Sequence, residues 1–161
     1  MDKRSAIGAI IKELERQKLE LENGLKSAKQ AAKDSPSAME SHSDTTRNQM
    51  QILGDNIKRM IEEKGKALDS LKKIMDSSEG VFDSVQDGAV IETEGEKNEK
   101  HFYVIVPEGG AGATIDQNGV PITSITLKTP LGTALAGKKT GDTAIVQNKN
   151  GDRKIKILGI F

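Results

Sequence analysis

The apolar residues change period near residue 76, and this switch limits the possible folds more than any single residue does. Before it they recur at heptad spacing; after it come short alternating runs punctuated by glycine. The pattern predicts an α+β chain: an antiparallel coiled-coil hairpin over 1–76, then a small antiparallel β-sheet domain with one short helix over 77–161. Such a pairing resembles a probe mounted on a docking module.

Ile7, Leu14, Leu21 and Ala28 are spaced by seven, flanked by Ile10, Ile11, Leu25, Ala31 and Ala32. In the second arm Met50, Ile57 and Leu71 share one heptad position, and Leu53, Met60, Ala67 and Ile74 share the other. Lys64 interrupts the first series, while Ile61, Leu68 and Met75 widen the seam. Each arm of roughly 30 residues spans on the order of 45 Å at about 1.5 Å per residue. Gly24 inside the first arm costs about 1 kcal/mol relative to alanine and marks a bend or a close helix contact.

Asp34-Ser35-Pro36-Ser37 breaks the pattern. Proline disfavours helical geometry in the residue before it and lacks an N–H, so the first helix should end near Lys33. Ser37 with Glu40, or Ser35 before Pro36, can start the second helix. A connection this short makes the arms antiparallel. Seam residues shrink toward the turn, so the tip should be slender.

Charge changes at the turn as well. Asp34, Glu40 and Asp44 lie within a stretch that has no Lys or Arg, with Lys26, Lys29, Lys33 and Arg47 just behind. An acidic point on a basic shaft suits a bound metal ion reached through an acidic or phosphate-lined channel. The simpler reading, and the favoured one, is that Asp34 and Glu40 serve helix ends and Asp44 is solvated. His42 could join a metal site or be solvated.

Composition narrows the remaining choices. The chain of 161 residues is 35% hydrophobic and 2% aromatic, too little for one large globular core but enough for a hairpin seam. Residues 1–75 hold 15 Lys and Arg against 12 Asp and Glu; a net charge of zero overall leaves the remainder with an acidic surplus of three. Neither half has the basic stripe with stacking aromatics of a general nucleic-acid binder. Cysteine is absent, which excludes disulfides, thiolate zinc sites and a cysteine nucleophile. No run approaches the length of a membrane span, and no signal-like segment opens the chain, so the expectation is a cytoplasmic protein.

After Gly80 the strands begin. Ala89–Thr93 and Phe102–Val106 read as a hairpin around the polar Glu94–Lys100 stretch, and Ile125–Leu127 as a short strand. Pro107–Gly112 is a loop without the Gly-Lys-Ser/Thr of a phosphate cradle, and Pro107 and Pro121 punctuate loops. Thr129 caps a helix with Pro130 at its first position, ending at Gly137. Thr143–Gln147 and Lys154–Phe161 complete the sheet around a turn at Asn148–Asp152. Leu131, Ala134 and Leu135 should be buried against it.

The segment Pro130-Leu131-Gly132-Thr133-Ala134-Leu135-Ala136-Gly137-Lys138-Lys139-Thr140-Gly141-Asp142 resembles the signature of the bacterial Gre transcript-cleavage factors, Pro-x-x-x-Ala-Leu-x-Gly-Lys-x-x-Gly-Asp. The resemblance implies an FKBP-like C-terminal domain that docks at the rim of the RNA polymerase secondary channel. Pro130, Leu131, Ala134, Leu135, Gly137, Lys138, Lys139, Gly141 and Asp142 are its partner-binding candidates. It also implies a finger that enters the channel, whose tip carboxylates help hold a second magnesium ion during hydrolysis of backtracked RNA. The factor would be a monomer and no enzyme itself, without a permanent cofactor, meeting nucleic acid only through the polymerase.

The tip departs from the family pattern. In place of a Gly-Asp-x-x-Glu-Asn motif stands Asp34-Ser-Pro-Ser-Ala-Met-Glu40-Ser-His-Ser-Asp44, which leaves Asp34, Glu40 and Asp44 as metal candidates. Cleavage stimulation and non-cleaving regulation of the channel both stay open. From other classes come an FKBP-like prolyl isomerase or peptide-binding module, which needs an aromatic-lined pocket, and a coiled-coil adaptor using the wide seam.

Overall fold

The computed structural model describes residues 3–34, 41–76, 82–117, 119–147 and 151–161, with backbone only at 41–47. Helices α1 (Lys3–Asp34) and α2 (Ser41–Asp76) form the hairpin. Strands β1 (Val90–Glu94), β2 (Lys100–Ile105), β3 (Thr114–Gln117) and β4 (Val120–Ile125) follow, then α3 (Pro130–Leu135), β5 (Thr143–Val146) and β6 (Arg153–Ile160). The six strands form one sheet in the order β3-β4-β2-β1-β6-β5.

The sheet is not wholly antiparallel as expected: β2 and β4 pair in parallel, Phe102 opposite Ile122 and Ile105 opposite Ile125. The reason lies in the route of the chain. It leaves β2 through the 106–113 loop, passes to the outer position as β3, and turns back, so β4 fills the gap beside β2. Polar Thr114–Gln117 gives little alternation to read. The strand expected at Ile125–Leu127 instead ends at Ile125, because the Thr126 carbonyl accepts from the Thr129 N–H at 3.1 Å and its hydroxyl at 2.8 Å. Pro121 stands inside β4 opposite Asp116 and not in a loop; β4 pairs with β2 only from Ile122 onward, so the missing N–H costs no bond there.

Strand β2 is buried on both faces, which explains its unbroken apolar run. Phe102 and Val104 join Val90, Ile122 and the base of the hairpin in one core, where Ile7, Ile10, Leu14 and Leu71 have no exposed surface. Tyr103 and Ile105 join Ile91, Ile157 and Leu135 of α3 on the opposite face. The hairpin therefore shares a core with the sheet instead of merely preceding it.

That sharing corrects the heptad reading of α2. Leu53 and Met60 are each 46% exposed, whereas their heptad mate Ala67 is fully buried. Ala67 lies against Gly110, where a Cβ would stand 3.1 Å from its methyl, so this face of α2 serves the sheet domain at the base and has no counterpart farther out. Leu68 and Leu71 are buried in one core with Ile7, Ile10 and Leu14 of α1, while Met50, Ile57 and Ile61 are half-buried.

Lys64, the interruption in the series, donates from Nζ to Gln17 Oε1 at 2.8 Å across the seam. Gln17 in turn donates to Glu13, whose carboxyl is held down at about 2, chiefly by its hydrogen bond from Arg16. Burial lowers the Lys64 pKa, partly countered by Glu13. A polar seam position of this kind sets register at the expense of stability. Lys64→Leu is expected to raise stability by about 1 kcal/mol, seen as a higher urea midpoint. An unchanged or lower midpoint would show that the Gln17 bond outweighs burial.

Candidate functional site

Two regions carry the candidate residues, the hairpin tip and the α3 corner of the sheet. At the tip, Asp34 closes α1 as an exposed carboxylate. It accepts from its own helix, Gln30 Nε2 lying 2.9 and 3.0 Å from its two oxygens. Glu40 lies outside the described residues, as do the side chains of His42 and Asp44. Among the described residues no group of three or more His, Asp or Glu is placed to hold a metal ion. Carboxylate is the right donor for magnesium, but Asp34 alone supplies one ligand where such an ion takes six.

At the corner, the sequence folds around a capped turn. Thr129 Oγ1 accepts from Gly132 N–H at 3.0 Å while donating to Thr126, and Pro130 fills the first helical position. Leu135 is fully buried, and Leu131 and Ala134 are half-buried against the same core. Gly137, at φ +69°, ends the helix and donates to the Val85 carbonyl at 3.0 Å; Val85 N–H returns to Lys138 at 2.8 Å. Asp142 Oδ2 accepts from Lys139 N–H at 2.8 Å, and Gly141, at φ +93°, donates to Ile157 at 2.8 Å. The candidate partner-binding residues thus divide. Pro130, Lys139, Gly141 and Asp142 are exposed and Lys138 half-exposed, while Leu135 acts from beneath by fixing the helix.

The Pro107–Gly112 loop, recognised from sequence only as a loop, proves to be the contact that seats the sheet domain on α2. Gly110 N–H closes a turn onto Pro107 at 3.1 Å, and Gly109 at its φ of +87° lies directly on the main chain of α2 at Glu63. Ser124 locks the turn from below: its buried hydroxyl donates to the Gly110 carbonyl at 2.6 Å and accepts from Ala113 N–H at 3.0 Å. The three glycines were the available signal, read only against phosphate loops. Ser124→Ala should cost about 2 kcal/mol because it strands two buried main-chain groups. Hydrogen exchange should show faster opening at Ala113; wild-type protection there would refute the clamp.

His101, assigned no role from sequence, stacks on Tyr103 at 4.3 Å between centroids and shares a 2.9 Å hydrogen bond with Thr123. Burial, aided by the nearby Arg153, lowers its pKa. The four aromatic residues are split between the two cores, Phe102 and Phe161 toward the hairpin, Tyr103 and Phe82 toward α3. They do not converge on one pocket.

Comparison with known proteins adds the following. Residues 79–161 match the family described as Transcription elongation factor, GreA/GreB, C-term. Transcription elongation factor GreA of Streptococcus pneumoniae serotype 4 is 36% identical over 64 residues, and that of Streptococcus sanguinis 38% over the same length. The aligned stretch covers 40% of this chain and 36% of either relative. Among solved structures, GreA factor homolog 1 (Gfh1) of Thermus thermophilus superposes over 94% of both chains at 19% identity and a TM-score of 0.37. A second structure of the transcription factor Gfh1 covers 94% of this chain and 93% of its own at 21% identity and a TM-score of 0.41. Superpositions this loose do not bear on function.

Proposed function

Because the chain belongs to the GreA/GreB family of transcription elongation factors, we propose that it binds RNA polymerase as a Gre-type factor. Residues 77–161 are the docking module at the rim of the secondary channel, and residues 1–76 the finger that enters it. The observation that supports this most is the family match over 79–161, the part that contains the α3 corner. The shared core adds a physical rationale: a probe seated rigidly on its docking module delivers its tip to a defined depth. No described helix is long and apolar enough to cross a membrane; a cytoplasmic location belongs to the proposal, since that is where an RNA polymerase partner would be met.

The protein performs no chemistry of its own in this reading. A magnesium ion bound there would supply stabilisation of charge on the reacting phosphate oxygens, and most of its ligands would have to come from the polymerase. This chain would contribute carboxylates from Asp34, Glu40 and Asp44. Asp34 would first have to exchange its bonds to Gln30 for the ion.

Transcript cleavage in backtracked elongation complexes of a bacterial polymerase tests the proposal, with binding measured in parallel. Wild type is compared with Asp34→Ala/Glu40→Ala/Asp44→Ala. Cleavage lost in the variant with binding retained makes the tip a metal-assisting device. Binding without cleavage makes the protein a non-cleaving channel regulator, and failure of wild type to bind overturns the reading. An FKBP-like fold for the docking module belongs to the same proposal. The divided aromatic residues speak against prolyl isomerase activity.

A further inference from the structure

One side of the outer hairpin carries an open groove of about 590 Å³ between the two helices. Its floor is apolar and shallow-sided: Leu25, Ala28 and Ala32 of α1 face Met50 and Gly54 of α2. Gly54 is the informative residue. Glycine is among the poorest helix formers, yet a Cβ there would meet only Leu25 Cδ1, at an ordinary 3.7 Å. Close approach of the helices therefore does not require it. The effect of glycine at this position is to leave the floor hollow.

The rim is cationic. Lys29 and Lys33 stand one turn apart on α1, with Lys58 across the groove on α2. Lys58 bonds Asp55 at 2.9 Å, the one carboxylate among the described lining residues. Among the described residues, Lys29 and Lys33 form no ion pair. The lining from Leu25 to Lys33 extends about 12 Å, two helical turns. An apolar floor of this length lies beside two unpaired lysines on the α1 rim, with a neutralised Lys58–Asp55 pair on the α2 rim. It matches a helix with a two-turn apolar stripe and carboxylates along the edge that meets α1.

We propose that this groove is a docking site for an acidic amphipathic helix of a partner protein, which would lie along the hairpin as a third strand of a local bundle. A second copy presenting the same face would oppose lysine to lysine. A single-stranded nucleic acid would find no aromatic platform among the described residues of the lining. The site shares no residue with the α3 corner or with the tip carboxylates, although Lys33 at its outer end adjoins Asp34.

The test uses the full-length protein and two dye-labelled, helix-stapled 14-residue peptides with leucine at heptad positions, one flanked by glutamate and the other by lysine. Fluorescence anisotropy should show binding of the glutamate peptide that weakens with salt, and at least about tenfold poorer binding of the lysine peptide. Lys29→Glu/Lys33→Glu reverses exposed charges and should weaken the glutamate peptide about tenfold, with helicity by circular dichroism unchanged. Gly54→Met fills the floor and should weaken it as well; Gly54→Ala is the milder variant should the larger side chain impair folding. Equal affinity for both peptides, or affinity untouched by either change, would overturn the proposal. So would a U14 RNA displacing the peptide, with its own binding lost in the lysine variant but retained in the floor variant, since the site would then be a polyanion patch.

Discussion

Gly109→Ala is expected to loosen the hairpin from the sheet and lower stability by at least about 3 kcal/mol. Two effects add. The residue sits at φ +87°, where an L side chain is strained by roughly 1–2 kcal/mol. Its Cβ would then lie 2.5 Å from both the carbonyl carbon and the oxygen of Glu63. That obstacle is helix main chain, which cannot swing aside as a side chain can. Either the turn from Pro107 to Gly110 opens, against the Ser124 clamp, or α2 moves away and the shared core opens with it. The melting temperature should fall by roughly 6–12 °C, with faster hydrogen exchange at the bases of both helices. Glu63→Ala should not rescue the variant, because the nearest atoms are main chain. Wild-type melting would mean that the loop does not hold the hairpin.

Gly132→Ala sets helix propensity against packing. An alanine inside a helix is normally worth about 1 kcal/mol over glycine. Here its Cβ would fall 2.0 Å from the Thr126 carbonyl oxygen and 2.9 Å from Leu127 Cα. The Thr126 carbonyl is the acceptor on which the Thr129 cap is built, so relief of the clash dismantles the start of α3. Packing should win, with a net loss of about 3 kcal/mol and a melting temperature lower by roughly 6–12 °C. Since α3 shapes the proposed docking corner, polymerase binding should weaken beyond what the unfolded fraction explains. A variant as stable as wild type would show that the 126–129 turn yields freely.

Much of the architecture could be read locally. The end of the first arm, the β1–β2 hairpin, the Thr129 cap and the Gly137 stop depend on neighbours within a few residues. These stand within a residue or two of where pattern and turn chemistry put them, while the expected start of the second arm at Ser35 or Ser37 lies outside the described residues. The errors share one origin, a partner remote in sequence. Leu53 and Met60 fit the heptad as well as Ala67 does, but only Ala67 meets the 107–112 loop. Polar β3 is a strand because the returning β4 pairs with it. Glycines 109 and 110 look like loop residues until α2 lies on them. At the candidate site, the signature segment was legible because its turns and cap are local, whereas the tip offered only acidic residues without a motif.

By itself, then, the amino-acid sequence determined the order and kind of the main elements and the local turns of the signature corner, since periodicity, caps and turns are short-range properties of the chain. The family came from the resemblance of that corner's residues to a known signature. Only the tertiary structure decided that hairpin and sheet share one core, that β4 runs parallel to β2, and that Gly54 leaves a hollow between the lysines. Each of those depends on which surfaces meet, and burial is settled between residues far apart in the chain.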